Sequence, residues 1–461
     1  MKKYLILICL ISAVVSAEAQ VVDAAYVETH YEKSTHFIPM RDGIKLYTIV
    51  YTPKDRSTTY PFLINRTCYS ASRYDNYQVL VQPSQFLVRA GYIIVYQDVR
   101  GRYMSEGTFD NMRPNIPGND IAHKQAIDES SDTYDTIEWL LENVDNNNGK
   151  VGMFGISYPG FYTAAAIPDA HPALKASSPQ APIADFYFDD FHHHGAFLQS
   201  YAAAFAVFGY QKDTLTRQPW YTEEINRFNN EQVTDAYEYY LDKGPLKNLT
   251  DNYHHDNFFW KQIIEHPNYD RFWQDRNLLP HLKNVNHAVL TVGGWFDAED
   301  LYGPLNIYKT IEASSPQAHN TIIMGPWMHG GWARQLGAQI VNHIHFGDSI
   351  SYYFQKEIEA PFFGHYLKGK DMKPLPEAHM FDTGTKEWRQ FDAWPPDEIP
   401  AVDLYFGEDG VLSINTPTPK ENIFEYTCDP DHPVPYRSEV SGLTFTPRMF
   451  ITDDQRHASK R

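Results

Sequence analysis

Ser157 stands at the tip of Val151-Gly152-Met153-Phe154-Gly155-Ile156-Ser157-Tyr158-Pro159-Gly160. An apolar run ends there in a turn of small residues, and a helix-forming segment, Phe161 to Ala166, follows at once. This strand–turn–helix context lifts a serine hydroxyl clear of a sheet edge. A hydroxyl is a poor nucleophile at neutral pH and needs a base within hydrogen-bond reach and a carboxylate to orient that base. Two later segments supply them. In Val292-Gly293-Gly294-Trp295-Phe296-Asp297 an apolar run breaks into glycines and an acid follows. Met324-Gly325-Pro326-Trp327-Met328-His329-Gly330-Gly331 repeats the plan with a histidine. Three residues in the order nucleophile, acid, base, each just past its own strand, predict acyl transfer.

The elements that must position them alternate. Strand-like runs occur at Lys45–Thr52, Pro61–Cys68, Tyr92–Asp98, Val151–Ile156, Ala288–Gly293 and Thr321–Gly325. Several are continuously apolar, as in strands covered on both faces. Ile137, Leu140, Leu141 and Val144 recur at helical spacing before the Asp145–Gly149 turn. Strands alternating with helices predict an α/β layer fold with a mostly parallel sheet, its core formed by residues 41–185 and 281–374. Residues 186–280 break the alternation and read as a helical cap, with Asp235–Leu241 one of its helices. From about Leu375 the runs His379–Phe381, Ala401–Phe406, Ile423–Thr427 and Leu443–Ile451 suggest an all-β domain over 375–461. That tail offers four or five strands where a jelly roll has about eight, so it reads as an incomplete one.

Residues 1–19 have the form of a secretory signal: Lys2 and Lys3, an apolar run from Tyr4 to Val15, and the small-residue site Ala17-Glu18-Ala19. The expected mature chain starts at Gln20, with residues 20–40 a polar arm, in a secreted or periplasmic setting. The apolar run is too short to span a bilayer. A formal charge of −19 disfavours nucleic acid and anionic lipid as partners. Cys68 and Cys428, the cysteines left after cleavage, are no disulfide framework. His192, His193 and His194 are adjacent and cannot all face one ion from regular structure, so no metal site is read there. No cofactor is called for.

Together these segments resemble the S15-type serine hydrolases, a group that includes cocaine esterases, X-Pro dipeptidyl peptidases, cephalosporin acylases and α-amino acid ester hydrolases. The likeness extends to Ile38–Gly43, Asn65–Tyr69, Gln97–Arg102 and Asp169–Lys175. The resemblance implies an α/β-hydrolase core, a helical cap and a C-terminal jelly roll. It implies Ser157, Asp297 and His329 as catalytic triad, and an oxyanion hole from the Tyr69 hydroxyl and the Tyr158 backbone N–H. Acids beside the triad resemble the carboxylate cluster of α-amino acid ester hydrolases, which holds a substrate's α-ammonium. They map to Asp190, Glu299 and Asp300, with Asp189 the fallback for Asp190. The implied partner is a small ester or amide bearing an α-amine, and homo-tetramers are known among such relatives. The alternatives are a dipeptidyl peptidase, a cephalosporin acylase or a general carboxylesterase on the same triad, and more remotely an inactive binding protein.

Overall fold

The computed structural model describes residues 22–458 apart from 78–83, 117–126, 202, 224–232, 253–255, 335–336, 397–398, 408–410, 417–424, 426 and 443–449. Residues 1–19, expected to be a signal segment, and the expected mature start at Gln20 lie outside the described residues. So do most of Ile423–Thr427 and Leu443–Ile451.

A ten-stranded sheet organises the chain. In chain order its strands are β1 (Tyr31–Pro39), β2 (Lys45–Pro53), β3 (Tyr60–Thr67), β4 (Ile93–Asp98), β5 (Asn147–Ile156), β6 (Leu174–Gln180), β7 (Ala288–Gly294), β8 (Asn320–Gly325), β9 (Ala378–Asp382) and β10 (Glu387–Phe391). Across the sheet they run β1-β2-β4-β3-β5-β6-β7-β8-β9-β10. From β4 to β9 every neighbour is parallel; β1, β2 and β10 add antiparallel edges. The central strands are buried along their length because helices cover both faces. On one side lie α1 (Glu129–Asn143), opened by an Asp128–Ser131 capping box, and α2 (Tyr158–Ala165). The α/β layer fold with a mostly parallel sheet expected from the pattern is present, as is the arrangement of the α/β-hydrolase core that the resemblance implied.

Two boundaries differ from the sequence reading. The arm assigned to residues 20–40 is a short helix, Ala24–His30, leading into β1, which pairs with β2 over its whole length. Its alternating polar residues suit an edge strand with one wet face. The boundary at Leu375 falls too early, since β9 pairs in parallel with β8 and belongs to the core sheet. A short β-prone run does not say which sheet it joins. Beyond it, the described residues contain one further β pairing, Tyr405–Phe406 with Leu412–Ser413.

The interval 186–280 is mainly helical in its described parts, with Ala203–Phe208, Ala236–Lys243, Phe258–Glu265 and Arg271–Arg276, and it includes one short antiparallel pairing of His192–His193 with Ala196–Phe197. It packs on the core through one aromatic cluster that includes Phe186, Phe191, Phe205, Phe259, Trp260 and Trp273. Among the described residues no helix is long and apolar enough to cross a membrane.

Candidate active site

Ser157 caps α2 with φ 69° and ψ −131°, a strained conformation for a residue with a side chain. Its neighbours make the strain affordable. A Cβ on Gly155 would lie 2.1 Å from the Pro159 carbonyl oxygen, and one on Gly160 2.5 Å from that of Gln180. Only glycine fits either place. The Ser157 N–H donates to the Gln180 carbonyl at 2.9 Å, which fixes the turn to the end of β6.

Asp297 and His329 follow β7 and β8, and the two loops are stitched together. Trp295 N–H donates to the Gly325 carbonyl at 2.9 Å and Phe296 N–H to the Trp327 carbonyl at 3.0 Å. A Cβ on Gly294 would meet that Trp327 oxygen at 2.2 Å. The loops therefore run side by side, and His329 Nδ1 lies 2.9 and 3.1 Å from the Asp297 carboxylate oxygens. Asp297 Oδ1 also accepts the N–H groups of Glu299 at 2.9 Å and Asp300 at 3.0 Å. Burial works against its charge, but His329 and these donors outweigh it and hold the carboxyl below its ordinary range.

Tyr69 follows β3 on a turn whose next residue, Ser70, has φ 81°. Burial, then the nearby Cys68, Glu299, Asp190 and Asp300, push its hydroxyl well above the usual range, so it stays a proton donor. Cys68 is buried, Cys428 exposed, and both are free thiols. The Tyr158 side chain points into the core, accepting from Met112 N–H at 2.9 Å and donating to Asn111 Oδ1 at 3.1 Å. Its backbone N–H lies in the first turn of α2, where no helical acceptor exists.

The acids converge beside His329. Asp190, Asp297, Asp300 and His329 are only 3%, 2%, 1% and 1% exposed. Oδ2 of Asp190 and both oxygens of Asp300 are buried without a hydrogen bond. Burial first, then the other carboxylates, pushes both acids well above the ordinary range. Among the described residues no lysine or arginine pairs with either. Asp189 does a different job. It accepts N–H groups of Ala184, Asp185 and Gly303 at 2.8, 3.1 and 2.7 Å, tying the cap root to the helix Tyr302–Ser314. Of the adjacent pair, it is Asp190 that faces the cluster.

Tyr201 was not foreseen. Its hydroxyl bonds Asp190 and lies 3.4 Å from Glu299 Oε2, so a cap tyrosine closes the cluster from above. Nothing in its aromatic surroundings sets it apart in sequence. His192 stacks on Tyr187 at 4.0 Å, packed as an aromatic.

The family model of X-Pro dipeptidyl-peptidases of the S15 family matches residues 42–331. Cocaine esterase of Rhodococcus sp. (strain MB1 Bresler) is 26% identical over 434 residues, which is 89% of this chain and 70% of that protein. An aminopeptidase from a marine sediment Thaumarchaeota archaeon superposes with a TM-score of 0.82 at 34% identity, covering 94% of this chain and 71% of that one. An α-amino acid ester hydrolase superposes with a TM-score of 0.81 at 30% identity, covering 98% and 74%. The span matched by the family model takes in the Ser157 turn and the Asp297 and His329 loops, and the chain belongs to the S15 family.

Proposed function

We propose that the protein is a serine hydrolase that cleaves esters or amides of α-amino acids through a Ser157 acyl-enzyme. The observation that carries this reading is the set of unpartnered buried oxygens on Asp190 and Asp300 beside the Asp297–His329 pair. Like charges packed in a dry site are costly unless a cation enters. An α-ammonium is such a cation, and holding it fixes the adjacent carbonyl next to Ser157. The similarity to an α-amino acid ester hydrolase and to an aminopeptidase supports the same choice.

In this mechanism Ser157 Oγ attacks the carbonyl carbon and gives its proton to His329 Nε2. Asp297 keeps Nδ1 protonated and the ring oriented. The Tyr69 hydroxyl and the Tyr158 N–H hold the oxyanion. His329 returns the proton to the leaving group, and water releases the acyl chain by the same steps. Export by residues 1–19 is part of the proposal, and N-terminal sequencing of secreted protein checks it.

The decisive experiment compares p-nitrophenyl esters with and without an α-amine on Asp190→Asn and Asp300→Asn variants. The reading expects kcat/KM to fall about a hundredfold or more for amino-acid esters, because a paired buried charge is lost, and to change little for acetyl esters. Equal losses on both would sink it.

A further inference from the structure

His329 meets carboxylates on both of its ring nitrogens. Nδ1 lies 2.9 Å from Asp297 Oδ2, and Nε2 lies 3.5 Å from Glu299 Oε2. The first contact orients the ring. The second is not needed for that, and it falls on the nitrogen that must accept the serine proton. A general base works only with an open lone pair. A carboxylate beside Nε2 favours the form in which that nitrogen already carries a proton.

We propose that Glu299 holds His329 protonated and idle while the site lacks a cation, and that an arriving α-ammonium draws the Glu299 carboxylate to itself and so frees Nε2 to act as base. This rests on the reading that the cluster receives an ammonium. The exchange balances. One positive charge enters with the substrate, one proton leaves Nε2 for solvent, and the net charge of the site is unchanged. No substrate bond breaks in this step. The neutral imidazole then takes the Ser157 proton as before.

The other charged groups around the ring are placed differently. Asp300 Oδ2 is 3.8 Å from Nδ1, on the Asp297 side. Asp190 enters from the cap root and is bonded by Tyr201, and Tyr69 faces the same acids from β3. Arg334, in the short helix Gly331–Arg334 that follows the histidine, bonds the His329 carbonyl through Nη1 at 3.0 Å and so steadies the loop. Glu299 is less buried than Asp190 or Asp300, with 12% of its side chain exposed. Its Oε2 is 3.5 Å from Nε2 and 3.4 Å from the Tyr201 hydroxyl, both long contacts. Contacts of this length leave the carboxylate oxygen able to turn toward an ammonium. Selectivity for α-amino substrates then enters the chemical step, because a neutral acyl ester meets an idle base.

The test measures phosphonylation of Ser157 by a neutral fluorophosphonate across about pH 5 to 9, the range in which histidine changes charge. The full chain is assayed in sodium chloride and in methylammonium chloride at equal ionic strength. Methylammonium should move the labelling midpoint to lower pH and raise the rate below that midpoint by about tenfold. Glu299→Gln should show the lower midpoint already in sodium chloride and gain nothing from the amine. Steric blocking by the amine would scale the rate at every pH without moving the midpoint. Binding is followed separately by thermal unfolding. Should methylammonium stabilise the wild type but not Asp300→Asn, while leaving the midpoint in place, the gate is overturned and the ammonium reading stands. Should it stabilise neither, the ammonium reading falls and the gate with it. The wild-type series decides the matter even where Glu299→Gln folds poorly.

Discussion

The side-chain oxygen of Gln180 accepts the indole N–H of Trp332 at 2.7 Å. The same residue takes the Ser157 N–H on its carbonyl at 2.9 Å and donates through Nε2 to Glu359 at 2.9 Å. Trp332 sits three residues past His329, in the short helix Gly331–Arg334, and Gln355 Nε2 bonds its carbonyl at 2.8 Å. One buried amide thus ties the nucleophile turn to the base turn. Gln180→Leu leaves Trp332 and Glu359 each short of a partner, a loss of about 2–4 kcal/mol in stability for two stranded groups. It should also lower kcat about tenfold or more with KM little changed, since misplaced reacting groups lose rate rather than affinity. Rates are expressed per serine titrated by a phosphonate burst. A purely structural role would lower the number of titratable serines and leave the rate of each unchanged.

A second clamp acts on Tyr69. Arg102 donates Nε–H to the Cys68 carbonyl at 3.0 Å, and Asp98 accepts from Ala71 N–H at 2.5 Å and Met104 N–H at 3.0 Å. The turn carrying Tyr69 is thereby held on both sides. The Arg102 guanidinium is fully buried among Trp220, Phe109, Tyr221 and Tyr103, with ring centroids 4.5, 4.8, 5.4 and 5.5 Å away, and its terminal nitrogens bond no acceptor. The ring faces compensate its charge. Tyr69→Phe should cost about a hundredfold in kcat, the usual effect of removing one oxyanion donor. Arg102→Met should cost about tenfold alone and almost nothing in the Tyr69→Phe background, because both losses pass through the same hydroxyl. Additive losses in the double variant would show that Arg102 acts elsewhere.

Adjacent aspartates should separate cleanly. Asp189→Asn weakens three buried backbone bonds at the cap root and should lower stability by about 2–3 kcal/mol. The preference of folded enzyme for amino-acid esters over acetyl esters should persist. Asp190→Asn should do the reverse. Denaturant unfolding and the ratio of kcat/KM on the two esters check both variants in one series.

These contrasts also show what the residue order could and could not reveal. The runs at β3, β4, β7 and β8 and in the second half of β5 are legible because strands covered on both faces must be apolar throughout, and each candidate triad residue stands where such a run stops. β6, Leu174-Lys-Ala-Ser-Ser-Pro-Gln, escapes notice because small polar side chains fill its tight space between β5 and β7. Yet β6 carries Gln180. Asp189 and Asp190 are the same residue type in sequence, and only the wide turn Tyr187–Phe191 sends one to backbone amides and the other to the cluster. Tyr201 is one aromatic among many until the cap folds over Glu299.

The pH dependence of stability should carry the mark of the carboxylate cluster. Burial, and then Asp190 and its neighbours, raise the Asp300 carboxyl well above its ordinary range in the folded chain. The folded state therefore binds this proton more tightly than the unfolded state does. Stability contributed by the group is complete below the unfolded value and is lost as pH rises toward the folded one. Asp300→Asn removes that titration while keeping the side chain's size. The variant should match the wild type below about pH 3, where Asp300 is protonated in both states, and exceed it increasingly toward about pH 8, by roughly 1–3 kcal/mol for one unmet buried group. A saturating α-ammonium ligand should narrow the difference from the wild-type side, since binding to the native state alone stabilises it. Urea unfolding at a series of pH values, with and without methylammonium, measures both trends. A variant less stable than the wild type at pH 8 would mean that Asp300 already has its counter-ion.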